Sequence, residues 1–119
     1  MLRIIRSIFF KINKKPIFIL GNPKSGTTVI GKLISKASNK SHTSDIKSVI
    51  YNSSQKLDSG LISLNYFIKN HKYEFSKEII KEPSLSYHVE DLIETYPDSK
   101  FIWIVRNPFQ NIRSILNRD

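Results

Sequence analysis

The period of the apolar positions changes several times along the chain, and each change marks an element. Ile17, Phe18, Ile19 and Leu20 follow Pro16 without alternation, the pattern of a strand buried on both faces of a parallel sheet. Pro16 suits a strand's first position, where a ladder donor can be spared. From about Gly26 to Ser38 the pattern turns helical, with Val29, Ile30, Leu33, Ile34 and Ala37 at helical spacing. Residues 38–44 are polar and predict a loop. A short helix is expected from Asp45 to about Ser54, with Ile46, Val49 and Ile50 on one side. Leu57 to Asn70 carries Leu61, Ile62, Leu64, Phe67 and Ile68, a further helical face.

The second half repeats the strand-then-helix order. Glu78 to Lys81 predicts a second strand, stopped by Pro83. Ser84 reads as the N-cap of a helix running to about Tyr96, with Leu85, Val89, Leu92 and Ile93 inward. Lys100-Phe-Ile-Trp-Ile-Val105 is the clearest strand. Arg106-Asn107-Pro108 turns out of it into a final helix lined by Phe109, Ile112, Ile115 and Leu116. Strands alternating with helices predict an α/β fold, a parallel sheet flanked by helices. Three strands are fewer than the usual about five or six, so the chain is expected to be an N-terminal fragment of a longer domain or a shortened member of its family.

Composition changes this picture in one respect. The 119 residues suit one domain, and 39% hydrophobic and 24% charged residues are ordinary for a globular protein. The balance is basic, 19 Lys and Arg against 10 Asp and Glu for a net charge of +9. That charge attracts anions such as nucleotides, nucleic acid, sulfated or phosphorylated substrates, or acidic lipid. A lysine-rich codon bias would give the same balance without any function. There is no cysteine, which excludes disulfides, thiolate catalysis and cysteine-ligated metals. Residues 1–15 form a basic leader ahead of a domain spanning 16–119. Their apolar run is too short and interrupted for a membrane span, and they lack a signal-peptide cleavage site. A leader helix or frayed tail is the favoured reading, with peripheral contact on a membrane surface as the other. Cytoplasmic location is the default.

The chemistry concentrates in Gly21-Asn-Pro-Lys-Ser-Gly-Thr-Thr28. A strand, a glycine loop and a helix N-terminus in that order bring backbone N–H groups and the positive end of the helix dipole to one point. The stretch is P-loop-like: the glycines and the final threonine match G-x-x-x-x-G-K-[ST]. Thr27 stands where the lysine of nucleoside triphosphatases belongs, and the lysine has moved back to position 24. One charge in a different place suggests a different anion, with no necessary metal.

With that displacement the chain resembles the sulfotransferases that use 3′-phosphoadenosine 5′-phosphosulfate (PAPS). Their first signature, Pro-Lys/Arg-Ser-Gly-Thr-Thr after a strand, is matched by Pro23 to Thr28. Their second is a strand ending in Arg, an Asn/Asp-Pro turn, and a Ser eight residues after the Arg; Arg106, Asn107, Pro108 and Ser114 supply it. Lys81-Glu82-Pro83 looks like the Lys-x-Pro segment of many members. The resemblance implies a three-layer P-loop-like fold, PAPS as sulfuryl donor, and a hydroxyl or amine acceptor. It implies that Lys24, Ser25, Gly26, Thr27 and Thr28 bind the 5′-phosphosulfate, and that Arg106 and Ser114 bind the 3′-phosphate. Lys24 then neutralises charge growing on the bridging oxygen, and Arg106 offers a planar fork to phosphate.

The acceptor needs a base. In tyrosylprotein-type members a glutamate lies beyond the phosphosulfate motif, and the matching position, 21 residues after Lys24, is Asp45. Asp45 reads equally as an N-cap. His42, in the same loop, titrates in a useful range and reads otherwise as a loop residue. The histidine that serves cytosolic members two residues after a lysine is replaced here by Pro83, while the resemblance leaves Lys81 a candidate to touch the transferring sulfuryl group. His71 and His88 read as ordinary helix or loop residues. Two other functions compete: a P-loop kinase or triphosphatase needing Mg-ATP, and a non-catalytic basic module binding nucleic acid or another acidic polymer. Thr27 opposes the first. Against the second, the aromatics fall in strands and helix faces and are not interleaved with basic residues, so no nucleic-acid partner is expected.

Overall fold

The computed structural model describes residues 9–22, 25–46 and 53–116, without side chains at positions 53, 54, 111 and 114. Four strands make one sheet: β1 (Ile17–Gly21), β2 (His42–Thr43), β3 (Ile79–Lys81) and β4 (Lys100–Ile104). Their order is β2-β3-β1-β4, and every pair is parallel. Among the described residues five α-helices connect or follow them: α1 (Thr27–Ser38), α2 (Ser53–Asp58), α3 (Leu64–Asn70), α4 (Val89–Thr95) and α5 (Pro108–Leu116). The expected α/β fold with a parallel sheet and flanking helices is what forms.

Strand alternation sorts the layers. Phe18, Leu20 and Ile80 point to one face and join Leu57, Leu64, Phe67, Ile68, Phe75, Leu85, Leu92 and Tyr96 in the main core. Phe18 stacks on Phe101 at 5.3 Å and lies 5.0 Å from Tyr96. Ile19 and Lys81 point to the other face, beneath Gly31 of α1. Phe18, Ile19, Leu20, Ile79 and Ile80 are fully buried, each large apolar side chain contributing about 1.5–3 kcal/mol. The end of the leader lies against this body: Ile12 packs on the core, and Asn13 donates its N–H to the Phe75 carbonyl and its Nδ2 to the Lys77 carbonyl.

Several expectations are corrected. The polar loop 38–44 contains β2, whose Thr43 hydroxyl donates to the Glu74 carbonyl at 2.7 Å. His42 and Thr43 pair because β3 lies alongside them. The helix expected over Leu57–Asn70 is two helices, α2 and α3, separated by a turn closed by Leu61 N–H on the Lys56 carbonyl. Ser63 caps α3, accepting from Tyr66 N–H. Asp45 and Ile46 are not helical, and the rest of the helix expected to Ser54 lies outside the described residues as far as position 52. Glu82, and not Ser84, caps the next turn. Its carboxylate accepts from Ser84 N–H, Pro83 takes the first position, and a 3₁₀ turn over Pro83–His88 leads into α4. Pro83 at the first position is the signal that places the cap at Glu82, two residues before Ser84.

Apolar faces are also more exposed than their periodicity predicts. Val29 and Leu33 of α1 face outward, as does Ile93 of α4. On β4, Trp103 is half exposed, and Phe109 and Leu116 of α5 are exposed at 84% and 77%. β4 has β1 on one side and no strand on the other among the described residues.

Candidate functional site

All four strands run the same way, so their carboxyl ends open at one edge of the sheet. From β1 the chain passes through α1 to β2 on one side, and from β3 it passes to β4 on the other. β1 is therefore the point where the strand order reverses, the usual place for a ligand crevice in such sheets.

Gly21 ends β1 beside Ile104 of β4. Its φ is +152°, and a Cβ there would lie 2.8 Å from the Ile104 carbonyl oxygen, 2.9 Å from Ser25 Oγ and 3.1 Å from Thr27 Cγ2. Only glycine fits this close approach. The loop then returns on itself: Ser25 N–H donates to the Asn22 carbonyl at 3.2 Å and Ser25 Oγ to the same oxygen at 2.5 Å. Gly26, at φ +93°, is the N-cap of α1 without any side-chain cap. Ser25 and Thr27 are buried, and Thr28 is half-buried in the first turn. The opening N–H groups of an α-helix have no intrahelical acceptor, and α1 has no acidic residue in its first turn to occupy them. Lys24 lies outside the described residues.

Lys81 and Asp45, 36 positions apart in sequence, come together. Lys81 stands level with Ile19 of β1, its side chain only 5% exposed, and its Nζ donates to Asp45 Oδ1 at 2.8 Å. The carboxylate of Asp45 is 55% exposed, so the pair joins a buried cation to an anion open to solvent. Burying an ammonium without a partner is costly; Asp45 and the apolar stem packing under α1 offset that cost. Whether Asp45 also caps a helix depends on residues outside the described ones. His42 is a half-buried strand residue level with Ile79.

Arg106 follows β4 by two residues, beyond the Gly21–Ile104 pairing, and is exposed. Asn107 caps α5, its Oδ1 accepting from Phe109 N–H at 2.9 Å and Gln110 N–H at 3.4 Å. Ser114 is carried on α5, with its side chain outside the description. The other histidines are engaged elsewhere: buried His71 has Nδ1 2.8 Å from the Phe67 carbonyl, and His88 pairs with Asp58 at 2.7 Å. Among the described residues no cluster of three His, Asp or Glu forms a metal site, and no helix is long and apolar enough to cross a membrane.

Two residues at this edge were not singled out from sequence. Ser86 faces Gly21, accepting its N–H at 2.9 Å and donating to its carbonyl at 3.2 Å. Glu82 accepts from Ser84 N–H and, through its other oxygen, from Ile46 N–H, each at 2.9 Å. Pro83 hinted at the cap role of Glu82; no local signal marked Ser86.

No match to the chain is found among curated proteins or among solved structures. Among protein families, the sulfotransferase family matches residues 35–118. That span begins within α1, past the glycine loop, and takes in Asp45, Lys81, Arg106 and Ser114. The match covers most of the chain, and with the parallel sheet and the strand-end site it shows that the chain belongs to the sulfotransferase family.

Proposed function

We propose that the chain is the PAPS-binding part of a sulfotransferase that acts on a hydroxyl or amine acceptor. The observation that carries this reading is the meeting of the glycine loop, the Lys81–Asp45 pair and the Arg106 turn at the carboxyl ends of β1, β3 and β4. The nucleotide suits the loop because α1 opens at Gly26 without a side-chain cap and without an acidic residue in its first turn, leaving its first N–H groups for an anion. The domain spans residues 16–119, with 1–15 as a basic leader. When bound, the phosphosulfate supplies the sulfuryl group, the S–O bond to the bridging phosphate oxygen breaking as the acceptor atom bonds to sulfur.

The chain's own residues have distinct tasks. Backbone N–H groups of Gly26 to Thr28, with the Thr27 and Thr28 hydroxyls, hold the 5′ end at the helix N-terminus, on a loop that Ser25 braces through Asn22. Lys24 neutralises the bridging oxygen, where negative charge grows in the transition state. Lys81 neutralises the transferring group from beneath. Asp45 accepts the acceptor's proton at its open carboxylate. Arg106 and Ser114 hold the 3′-phosphate, Arg106 through its planar fork. No metal is assigned a role.

Calorimetric titration with 3′-phosphoadenosine 5′-phosphate beside Mg-ATP tests this reading. Tight binding of the first and weak binding of the second is expected; ATP binding without preference for the 3′-phosphate overturns it in favour of a triphosphatase. Lys24→Ala should abolish transfer. Arg106→Ala should chiefly erase the preference for the 3′-phosphate, and a preference left intact removes Arg106 from the site.

A further inference from the structure

Asp45 sits in an irregular stretch after a two-residue strand, a poor support for a group that must meet Lys81 at a fixed distance. What holds it there is the residue next to each partner. Glu82 follows Lys81 in sequence and Ile46 follows Asp45, and Glu82 Oε1 accepts from Ile46 N–H at 2.9 Å. The second oxygen of the same carboxylate accepts from Ser84 N–H at 2.9 Å, so Glu82 is anchored on its own turn while it grips the other segment. The two links run side by side: Asp45 to Lys81 through side chains, Ile46 to Glu82 through backbone and side chain. Ionised acceptors make stronger hydrogen bonds than neutral ones, and a carboxylate, unlike an amide, has two oxygens that can both accept.

We infer that Glu82 is a positioning residue: it clamps the 45–46 segment to the end of β3 and so presents the Asp45 carboxylate to Lys81 and to the acceptor. With both oxygens committed to backbone N–H groups, Glu82 is not itself the proton acceptor. This rests on the proposed roles of Asp45 and Lys81, and the test separates the two questions.

Acylation of individual lysines by acetic anhydride, followed by mass spectrometry on the full chain, reads the clamp without needing turnover. In the unaltered protein Lys81 is shielded, with the exposed Lys40 as internal reference. Glu82→Gln keeps the shape but has one acceptor oxygen, and Lys81 labelling should rise roughly tenfold, the population shift that one charge-assisted hydrogen bond commands. Asp45→Asn should raise labelling similarly, and Glu82→Gln added to it should do little more. Binding of 3′-phosphoadenosine 5′-phosphate should be unchanged by Glu82→Gln. Unaltered Lys81 labelling, or an equal increment with and without Asp45, overturns the clamp. Should Glu82→Gln fail to fold, Glu82→Asp, one methylene too short to reach both N–H groups, takes its place with the same expectation. If the unaltered chain does not bind the nucleotide, the functional reading falls while the labelling cycle still decides the role of Glu82.

Discussion

Gly21 and Ser86 meet across a gap that a strand would otherwise fill. β3 pairs with β1 only as far as Ile19–Lys81 and then leaves the sheet, and the Ser86 hydroxyl takes over, accepting from Gly21 N–H and donating to its carbonyl. The last residue before the glycine loop is thus held on one side by β4 and on the other by a single side chain.

Ser86→Ala should leave the Gly21 N–H without its acceptor. A loss of about 1–3 kcal/mol is expected, read by urea denaturation. A larger drop in nucleotide affinity than in acceptor affinity should accompany it, because the slack appears at the start of the loop.

Two glycines, one ending β1 and one within α1, should respond in opposite directions to alanine. At Gly21 the new Cβ meets a backbone oxygen at 2.8 Å with φ at +152°, and Gly21→Ala should destabilise the fold and weaken nucleotide binding. At Gly31 a Cβ makes ordinary contacts, 3.6 Å to Ile19 Cδ1 and 3.7 Å to Lys81 Cβ. Gly31→Ala should therefore stabilise α1 by about 0.5–1 kcal/mol, measured by thermal unfolding.

Lys81→Met separates charge from packing. Methionine keeps an apolar stem beneath Gly31, and Asp45, 55% exposed, remains solvated when its partner goes. Stability should change by less than about 1 kcal/mol, while transfer falls at least about 100-fold. Equal activity of the variant would remove Lys81 from the chemistry.

Alkaline pH should weaken the fold through Tyr96. Burial raises its phenol from 10.0 to about 12, so between those values the unfolded chain loses a proton that the folded chain retains. The stabilisation is complete below pH 10 and is lost as pH rises through 12, by at most about 3 kcal/mol. Tyr96→Phe should flatten this part of the stability profile; an unchanged slope would place the alkaline loss elsewhere.

What could be read in the sequence was what spacing encodes. Uninterrupted apolar runs located β1 and β4, the short Glu78–Lys81 stretch before Pro83 located β3, and the positions of Lys24, Arg106 and Ser114 carried the family resemblance. β2 was not legible, since His42-Thr43 has no apolar run and pairs only because β3 is already there. Nor does any local pattern join Asp45 to Lys81 across 36 positions; both were candidates, but their contact is made by the fold. The clamp by Glu82 and the latch by Ser86 use side chains whose partners are backbone groups far away in sequence, and such partners leave no periodic trace. The exposure of Leu33, Phe109 and Leu116 departs from the pattern because periodicity tells which residues share a face and not what covers it.

Trp103 is the chain's only tryptophan, half exposed on β4 and in register with Leu20, one step before the Gly21–Ile104 pair. The indole therefore reports on the strand that borders the glycine loop and on nothing else. Excited at the red edge of its absorption, it gives an emission free of contributions from other sites, and quenching by iodide follows how open that border is. The protein carries its own optical probe of the border of the glycine loop, requiring no label.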